Sequence, residues 1–331
     1  MIALPLPLIL SLIFGFLTLR LVMRGRPVPM LAALLGLLAA QALINTLALH
    51  HGVGLARLIQ PVSAMAIPAM AWLAWRTDGL GQRLHLRDAA HGLGMAAALA
   101  LRSHASILLE LLVPLTYAGY ALALAASLRK VGPDLPHARL GQGALPLLAW
   151  IGVAVSLALS ALSDLGIAAA IVLGHAAQAP MIVDLASSVL LFGIGGLALT
   201  AERLSVGAAP EDPEPSPTPT EDDHALFARL ETLMETRSPW RDPDLTLAQL
   251  GRRLQTPAKR LSAAVNLVTG DNISRYVNGH RIRAACAALE RGATATEAML
   301  DAGFVTKSNF NREFRRITGL TPTGWQAAHG R

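Results

Sequence analysis

The sequence predicts an all-α protein with two parts, an N-terminal bundle of about seven transmembrane helices and a C-terminal helical domain. The chain of 331 residues is 53% hydrophobic with a mean hydropathy of +0.46, which is too apolar for a wholly soluble protein. Apolar runs of membrane-spanning length lie before residue 205, and apolar residues recur at helical spacing after residue 224. We therefore expect a membrane bundle over 1–206, a linker over 207–223 and a cytosolic domain over 224–331.

The N-terminal part holds seven apolar segments, at 1–23, 28–49, 55–75, 86–106, 107–128, 143–173 and 180–201. A helix needs about 20 residues to cross the hydrocarbon core, and most of these segments reach that length. The fourth segment is the weakest, because Asp88 and Arg102 leave only a short apolar run between them. The first segment has no basic start and no convincing cleavage site, so we do not expect a removable signal peptide.

Basic residues in the loops predict the orientation of the bundle. With seven spans and the N-terminus outside, nine Lys and Arg residues fall in inner loops, whereas only Arg57 and Arg102 fall in outer ones. The inner residues are Arg20, Arg24, Arg26, Arg76, Arg83, Arg87, Arg129, Lys130 and Arg139. Omitting the fourth span would move the first of these clusters outside. We therefore expect an inner-membrane protein with a periplasmic N-terminus and a cytoplasmic C-terminal domain.

Three carboxylates are notable inside the predicted spans: Glu110, Asp164 and Asp184. Ionisable groups within a bilayer are costly, which makes these residues candidates for sensing a ligand or an ion. The alternative is interfacial solvation for Glu110 and Asp184 and a hydrogen bond between helices for Asp164. Four histidines are predicted near the same outer face without a metal-ligand spacing: His50, His51, His104 and His175. We predict neither a metal site nor a cofactor.

A proline-rich acidic linker separates the two parts. Residues 207–223 are GAAPEDPEPSPTPTEDD, in which five prolines alternate with acidic, serine and threonine residues. This composition buries no core and favours extended polyproline II, which spans about 3.1 Å per residue. The linker can therefore hold the next domain at a distance from the bilayer.

The C-terminal part is strongly basic. From residue 245 to 331 the sequence holds thirteen Lys and Arg against five Asp and Glu, a net charge of +8. A basic cytosolic domain predicts a polyanionic partner, either nucleic acid or anionic lipid. The acidic linker disfavours collapse onto anionic lipid, which weighs toward nucleic acid.

Helical spacing predicts two helix-turn-helix units in this basic part. The expected helices lie at 224–236, 245–254, 258–268, 272–291 and 295–301, followed by one that ends at Gly319 and a short one that begins at Pro322. Gly303 is expected in a left-handed turn. Thr256 and Thr306 are expected to cap the helices that follow the two tight turns, with Pro257 at the first helical position.

Both helices that follow the turns have an apolar back and a polar, basic front. The residues expected to face inward are Leu261, Val265 and Val268 in the first and Phe310, Phe314 and Ile317 in the second. A short helix of this kind fits the DNA major groove.

The last quarter of the chain, about Leu245 to Trp325, resembles the DNA-binding domain of AraC/XylS-type transcription regulators. The matching residues are Ala302, Gly303, Phe304, Ser308, Phe310, Arg312, Phe314, Arg315, Gly319, Pro322 and Trp325. The resemblance implies DNA contacts by outward residues of both recognition helices. Position by position, these are Lys259, Ser262 and Ala263 in the first helix and Lys307, Ser308, Asn311 and Arg312 in the second. We predict that Arg260 and Asn266 in the first helix and Arg315 and Arg316 in the second also contact DNA. The first helix departs from the family pattern at Ala263, Ala264 and Val265, so readout there would fall to Arg260 or Asn266.

The chain as a whole resembles a membrane-bound bacterial AraC-type regulator of transcription, an activator or a repressor. No enzyme activity is predicted, because the sequence contains no P-loop, HExxH motif or paired cysteine motif, and Cys286 is its single cysteine. The implied partners are promoter DNA, the lipid bilayer, RNA polymerase, a second copy in a homodimer, and an unknown small ligand or ion. Two alternatives stay open: a transporter or receptor whose basic domain docks a partner, and a passively tethered regulator without sensing.

Overall fold

The computed structural model describes residues 5–23, 29–101, 106–131, 135–136, 140, 145–203 and 218–329. Regular structure over these ranges is helical, which confirms the predicted all-α class. The chain forms two compact units, one of residues 1–131 with 147–197 and the other of residues 132–146 with 198–331. Several residues of the predicted loops and linker lie outside the described residues: Arg24, Arg26, Arg102, His104, Arg139 and 207–217.

The N-terminal unit is built from long apolar helices. They are α1 (Leu6–Met23), α2 (Pro29–Asn45), α3 (Gly54–Ala64), α4 (Ala66–Ala74), α5 (Leu93–Leu101), α6 (Ser106–Val131), α7 (Leu145–Val172) and α8 (Ala179–Arg203). Large apolar side chains such as Leu12, Phe16 and Phe192 are more than half exposed on these helices. Such a surface suits a lipid environment, because water disfavours large exposed apolar patches.

Six helical segments in the described part of the chain are long and apolar enough to cross a membrane. They are Leu6–Met23, Pro29–His50, Gly54–Gly79, Leu108–Val131, Pro146–Val172 and Ala176–Gly193. The predicted fourth span is not among them. Its described part is a 3-10 turn at Leu86–Gly92 and the nine-residue α5, which rises about 14 Å, half of a hydrocarbon core. The seventh span and the orientation of the bundle stay predictions.

The acidic residue that weakens the fourth segment has partners within its own unit. Asp88 is buried, forms an ion pair with Arg76, and accepts a hydrogen bond from the His85 N–H at 2.8 Å. A buried carboxylate that is paired and hydrogen-bonded costs far less than an isolated one. The Asp88 charge is therefore compensated within its own unit.

The C-terminal unit contains the helices that the sequence predicts. They are α9 (Glu221–Arg237), α10 (Leu247–Arg253), α11 (Ala258–Thr269), α12 (Ile273–Glu290), α13 (Ala295–Asp301), α14 (Lys307–Thr318) and α15 (Pro322–His329). Reciprocal capping boxes begin three of them, at Thr220, Thr246 and Thr294. Such a box satisfies two backbone N–H groups that have no partner inside the helix. The first box places the start of α9 at Glu221, three residues before the predicted position.

Three local predictions were wrong, at Thr256, Pro257 and Ile317. Thr256 does not cap α11, because Pro257 takes the N-cap position in an extended conformation and the Thr256 hydroxyl donates to Leu254 O at 3.1 Å. Ile317 is 39% exposed instead of buried with Phe310 and Phe314. Trp325 from α15 packs edge-on against Phe314, with ring centroids 6.1 Å apart, and covers the face that Ile317 was expected to close.

Helix α12 joins two separate hydrophobic cores. The first core packs Ile273 and Val277 of α12 with α9, α10 and α11, and the second packs Ile282 and Ala285 with α13 and α14. Arg281 lies between the two sets and is only 1% exposed. A helix that contributes to both cores fixes the distance between them.

The buried Arg281 links the turn before α10 to the second core. Its Nε donates to Trp240 O at 2.7 Å and its Nη2 donates to Asp242 O at 2.8 Å. The guanidinium carbon also lies 5.6 Å from the centroid of the Phe304 ring, in cation–π range. Burial lowers the pKa of Arg281 to about 10, so the side chain is still protonated at neutral pH.

Gly303 is held where two backbone carbonyls approach closely. It has a φ of +80°, and a Cβ at this position would lie 2.6 Å from Arg241 O and 2.8 Å from Trp240 O. Gly319 has a similar φ of +75°, but a Cβ there would meet nothing within 4 Å. The left-handed turn predicted at Gly303 is confirmed, and the close carbonyls add a second requirement for glycine.

We expect Gly303→Ala to destabilise the second core more than Gly319→Ala. Backbone strain alone should cost about 1–2 kcal/mol at either position, and only Gly303→Ala adds a clash with backbone oxygens. Hydrogen exchange of the α13 and α14 amides in the full-length chain measures the difference. Equal exchange rates in the two variants would contradict the close approach at Gly303.

Candidate nucleic-acid interface

Two recognition helices of equal length follow two short helices. α10 precedes α11 and α13 precedes α14, and both α11 and α14 have 12 residues. Each ends at a glycine with positive φ whose N–H donates back into the helix, Gly270 to Asn266 O and Gly319 to Arg315 O. The C-terminal unit therefore holds two helix-turn-helix units of the same construction.

The first recognition helix presents a mixed surface. Lys259 and Asn266 are exposed, and Ser262 is half-buried. Leu261 and Val265 are buried on the opposite face, as the helical spacing predicts, whereas Val268 is only half-buried. Three of the four residues predicted to contact DNA on α11 thus lie on or next to its open face.

Arg260, the fourth predicted residue on α11, forms an ion pair with a buried carboxylate. Its partner is Asp223 in the first turn of α9, and the Arg260 side chain is 41% exposed. Asp223 also accepts hydrogen bonds from Thr220 N at 2.8 Å and Thr220 Oγ1 at 2.6 Å. The hydrogen bonds from Thr220 and Arg260 hold the pKa of Asp223 far below its ordinary value of 3.8. Arg260 therefore ties the start of α9 to the first recognition helix, and any DNA contact would compete with this pair.

The second recognition helix exposes a continuous polar surface. Lys307, Ser308, Asn311, Arg315 and Arg316 are exposed, as predicted, and Phe310 and Phe314 are buried behind them. The N-cap residue is Thr306, also as predicted, but its side chain makes no capping hydrogen bond. Arg312 is half-buried beside Asn309, to which its Nη2 donates.

A buried carboxylate between two arginines is the site feature that sequence reasoning missed. Glu313 accepts from Arg312 Nε at 2.9 Å and from Arg316 Nε at 3.0 Å. Its two oxygens divide between the two arginines, so both side chains are held in defined directions before any ligand arrives. The sequence spacing could have revealed this cluster, because Glu313 is adjacent to Arg312 and one helical turn before Arg316.

The single thiol lies outside this surface. Cys286 is half-buried on α12 against the second core, and burial raises the pKa of its thiol to about 11. The thiol is therefore protonated at neutral pH and packs as a small apolar side chain.

The candidate sensing residues of the N-terminal unit lie on three different helices. Asp184 on α8 faces His50, with Asp184 Oδ1 and His50 Nε2 3.4 Å apart. Asp164 lies on α7, and Glu110 on α6 is half-buried. Among the described residues, no three His, Cys, Asp or Glu side chains gather into a metal-binding group.

A model of a protein family, described as a helix-turn-helix domain, matches residues 250–328. Residues 250–328 form an AraC-type helix-turn-helix domain. The match begins within α10 and ends within α15, so this AraC-type domain includes both recognition helices and all of α12. No curated protein and no solved structure shows significant similarity to the chain.

We expect Asp223→Asn to weaken the contact between α9 and α11. The folded-state pKa of Asp223 is depressed, so its contribution is complete above pH 3.8 and is lost as the pH falls below that value. The free energies of unfolding of the wild type and Asp223→Asn should differ at neutral pH and converge in acid. The matched control is Asp222→Asn, which removes an exposed neighbouring carboxylate. Parallel pH curves for the wild type and Asp223→Asn would contradict the role of the pair.

Proposed function

We propose that this protein is a sequence-specific transcription regulator held in the inner membrane, with its AraC-type domain in the cytoplasm. The observation that carries the proposal is the pair of recognition helices, α11 and α14, on two cores joined by one helix. Two such helices at a fixed distance suit two major-groove segments on the same DNA face. The family match supports DNA as the partner and transcription regulation as the role.

The residues proposed to contact DNA divide between the two units. In the first unit they are Lys259, Arg260, Ser262 and Asn266; in the second they are Lys307, Ser308, Asn311, Arg312, Arg315 and Arg316. The second unit offers the stronger base readout, because Glu313 orients both Arg312 and Arg316. A preoriented arginine loses less side-chain entropy when it binds a guanine edge or a phosphate.

The proposed membrane location rests on composition and loop charge. Six apolar helices support insertion, and the excess of Lys and Arg in the predicted inner loops supports a cytoplasmic C-terminal domain. The net charge of +8 over residues 245–331 suits promoter DNA as the ligand on that side. RNA polymerase and a second copy of the chain are proposed as further partners of the DNA-bound form.

A passive tether is the second candidate for the N-terminal unit. The ion pair of Asp88 with Arg76 favours it, since the pair gives that carboxylate a structural role, and Asp184 lies 3.4 Å from His50 within the same unit. The proposed sensor instead depends on Asp164, whose charge would favour one packing of the bundle when a ligand or ion binds. Replacing residues 1–131 and 147–206 with the helices of an unrelated seven-span anchor, with residues 132–146 kept because they belong to the C-terminal unit, separates the two, since only a sensor then loses its response.

Two arginine variants test the DNA-binding proposal, after a preferred operator has been selected from random DNA. Arg312→Ala should relax base preference at one position and cost about 1–3 kcal/mol of operator binding. Arg316→Ala should weaken binding to all sequences alike and lower the salt slope by about one, as expected for a phosphate contact. Affinities of the full-length chain, measured over a series of salt concentrations, distinguish the two effects. If the selected operator binds no better than random DNA at moderate salt, the chain is not a sequence-specific regulator.

A further inference from the structure

Three residues between α6 and α7 are part of the C-terminal unit. These anchor residues, Leu135, Pro136 and Leu140, lie in the 132–146 segment that groups with residues 198–331. Leu135 and Leu140 are buried, at 5% and 3% exposure. In the sequence they belong to a loop between two predicted spans, where large buried leucines are not expected.

The anchor residues bind the backbone at the start of α10. The Leu140 N–H donates to Leu245 O at 3.0 Å, and the Ala248 N–H donates to Pro136 O at 3.0 Å. The two pairings run in opposite chain directions, so the contact is antiparallel. Ala248 is in the first turn of α10, where backbone N–H groups have no partner within the helix. The Pro136 carbonyl therefore supplies a partner for the Ala248 N–H, which the capping box of Thr246 and Gln249 does not bind.

The Leu140 side chain completes the first hydrophobic core. It packs in the same cluster as Leu226 and Leu230 of α9 and Leu245 and Leu247 at the start of α10. That cluster also contains Leu261 and Val265, which hold α11 in place. A side chain from about a hundred residues earlier in the sequence thus fills the core that positions the first recognition helix.

The bound anchor residues leave the recognition surface of α11 open. Lys259 and Asn266 are exposed while Leu140 is buried in the core below them. Binding of the anchor residues is therefore compatible with DNA binding by α11.

We propose that Leu135, Pro136 and Leu140 are a built-in binding partner of the first helix-turn-helix unit, which engages DNA only when these three residues are bound to it. The inference rests on the proposed DNA-binding function and adds a condition to it. Both flanking helices are candidate spans, so the same short segment connects the membrane helices to the first recognition helix.

The test compares Leu140→Ala with Leu86→Ala in the full-length chain in lipid nanodiscs. Leu86 is the matched control, because it is a leucine between helices of the N-terminal unit that is almost fully exposed. Hydrogen exchange in α10 and α11 should accelerate about tenfold or more in Leu140→Ala and remain unchanged in Leu86→Ala. Exchange in α13 and α14 should stay as in the wild type, which shows that the second unit is still folded.

Footprinting of the same proteins on a selected operator gives the functional result. Leu140→Ala should lose the DNA segment protected by the first unit and retain the segment protected by the second. Unchanged hydrogen exchange, or faster exchange with an unchanged footprint, would overturn the proposal. If the wild type itself protects no operator, the proposed function fails instead, and the exchange data still report whether the anchor residues are bound.

Discussion

The C-terminal unit depends on one buried arginine. Arg281 places its guanidinium between two backbone carbonyls and the Phe304 ring, and so joins the turn before α10 to the turn after α13. A buried charge is tolerated only when its donors are satisfied, and removal of Arg281 would break its hydrogen bonds to the carbonyls of Trp240 and Asp242. The neighbouring carbonyl oxygens of Trp240 and Arg241 leave no space for a Cβ at residue 303, which explains why this residue must be glycine. The spacing of the two recognition helices follows from this one contact and the length of α12.

The features that sequence predicted well are local ones. Helix positions, the left-handed Gly303 and the buried Phe310 and Phe314 all follow from glycine conformation and the 3.6-residue period. The prediction for Ile317 was wrong because helical spacing does not reveal that Trp325, from the next helix, packs against Phe314 while Ile317 stays exposed. Thr256 was misassigned because a proline with extended ψ can itself hold the N-cap position.

The features that sequence missed depend on contacts between distant parts of the chain. Arg281 contributed one unit to a net charge that suggested a polyanion partner, yet it is buried and structural. Arg260 was assigned to DNA, but its nearest charge is Asp223 on another helix. Leu140 was assigned to a membrane loop, whereas it lies in the core of the first helix-turn-helix unit. No local pattern encodes a partner that lies dozens of residues away, so only the folded structure brings these pairs together.

The central claim, a regulator that binds promoter DNA from the inner face of a membrane, is tested most directly with sealed membrane vesicles that contain the full-length chain. Inverted vesicles should retain a selected operator and protect two segments about one helical turn, ~34 Å, apart. Right-side-out vesicles should retain none of it, because the basic domain is then enclosed. Retention by right-side-out vesicles alone, or equal retention of operator and random DNA by inverted ones, would contradict the account.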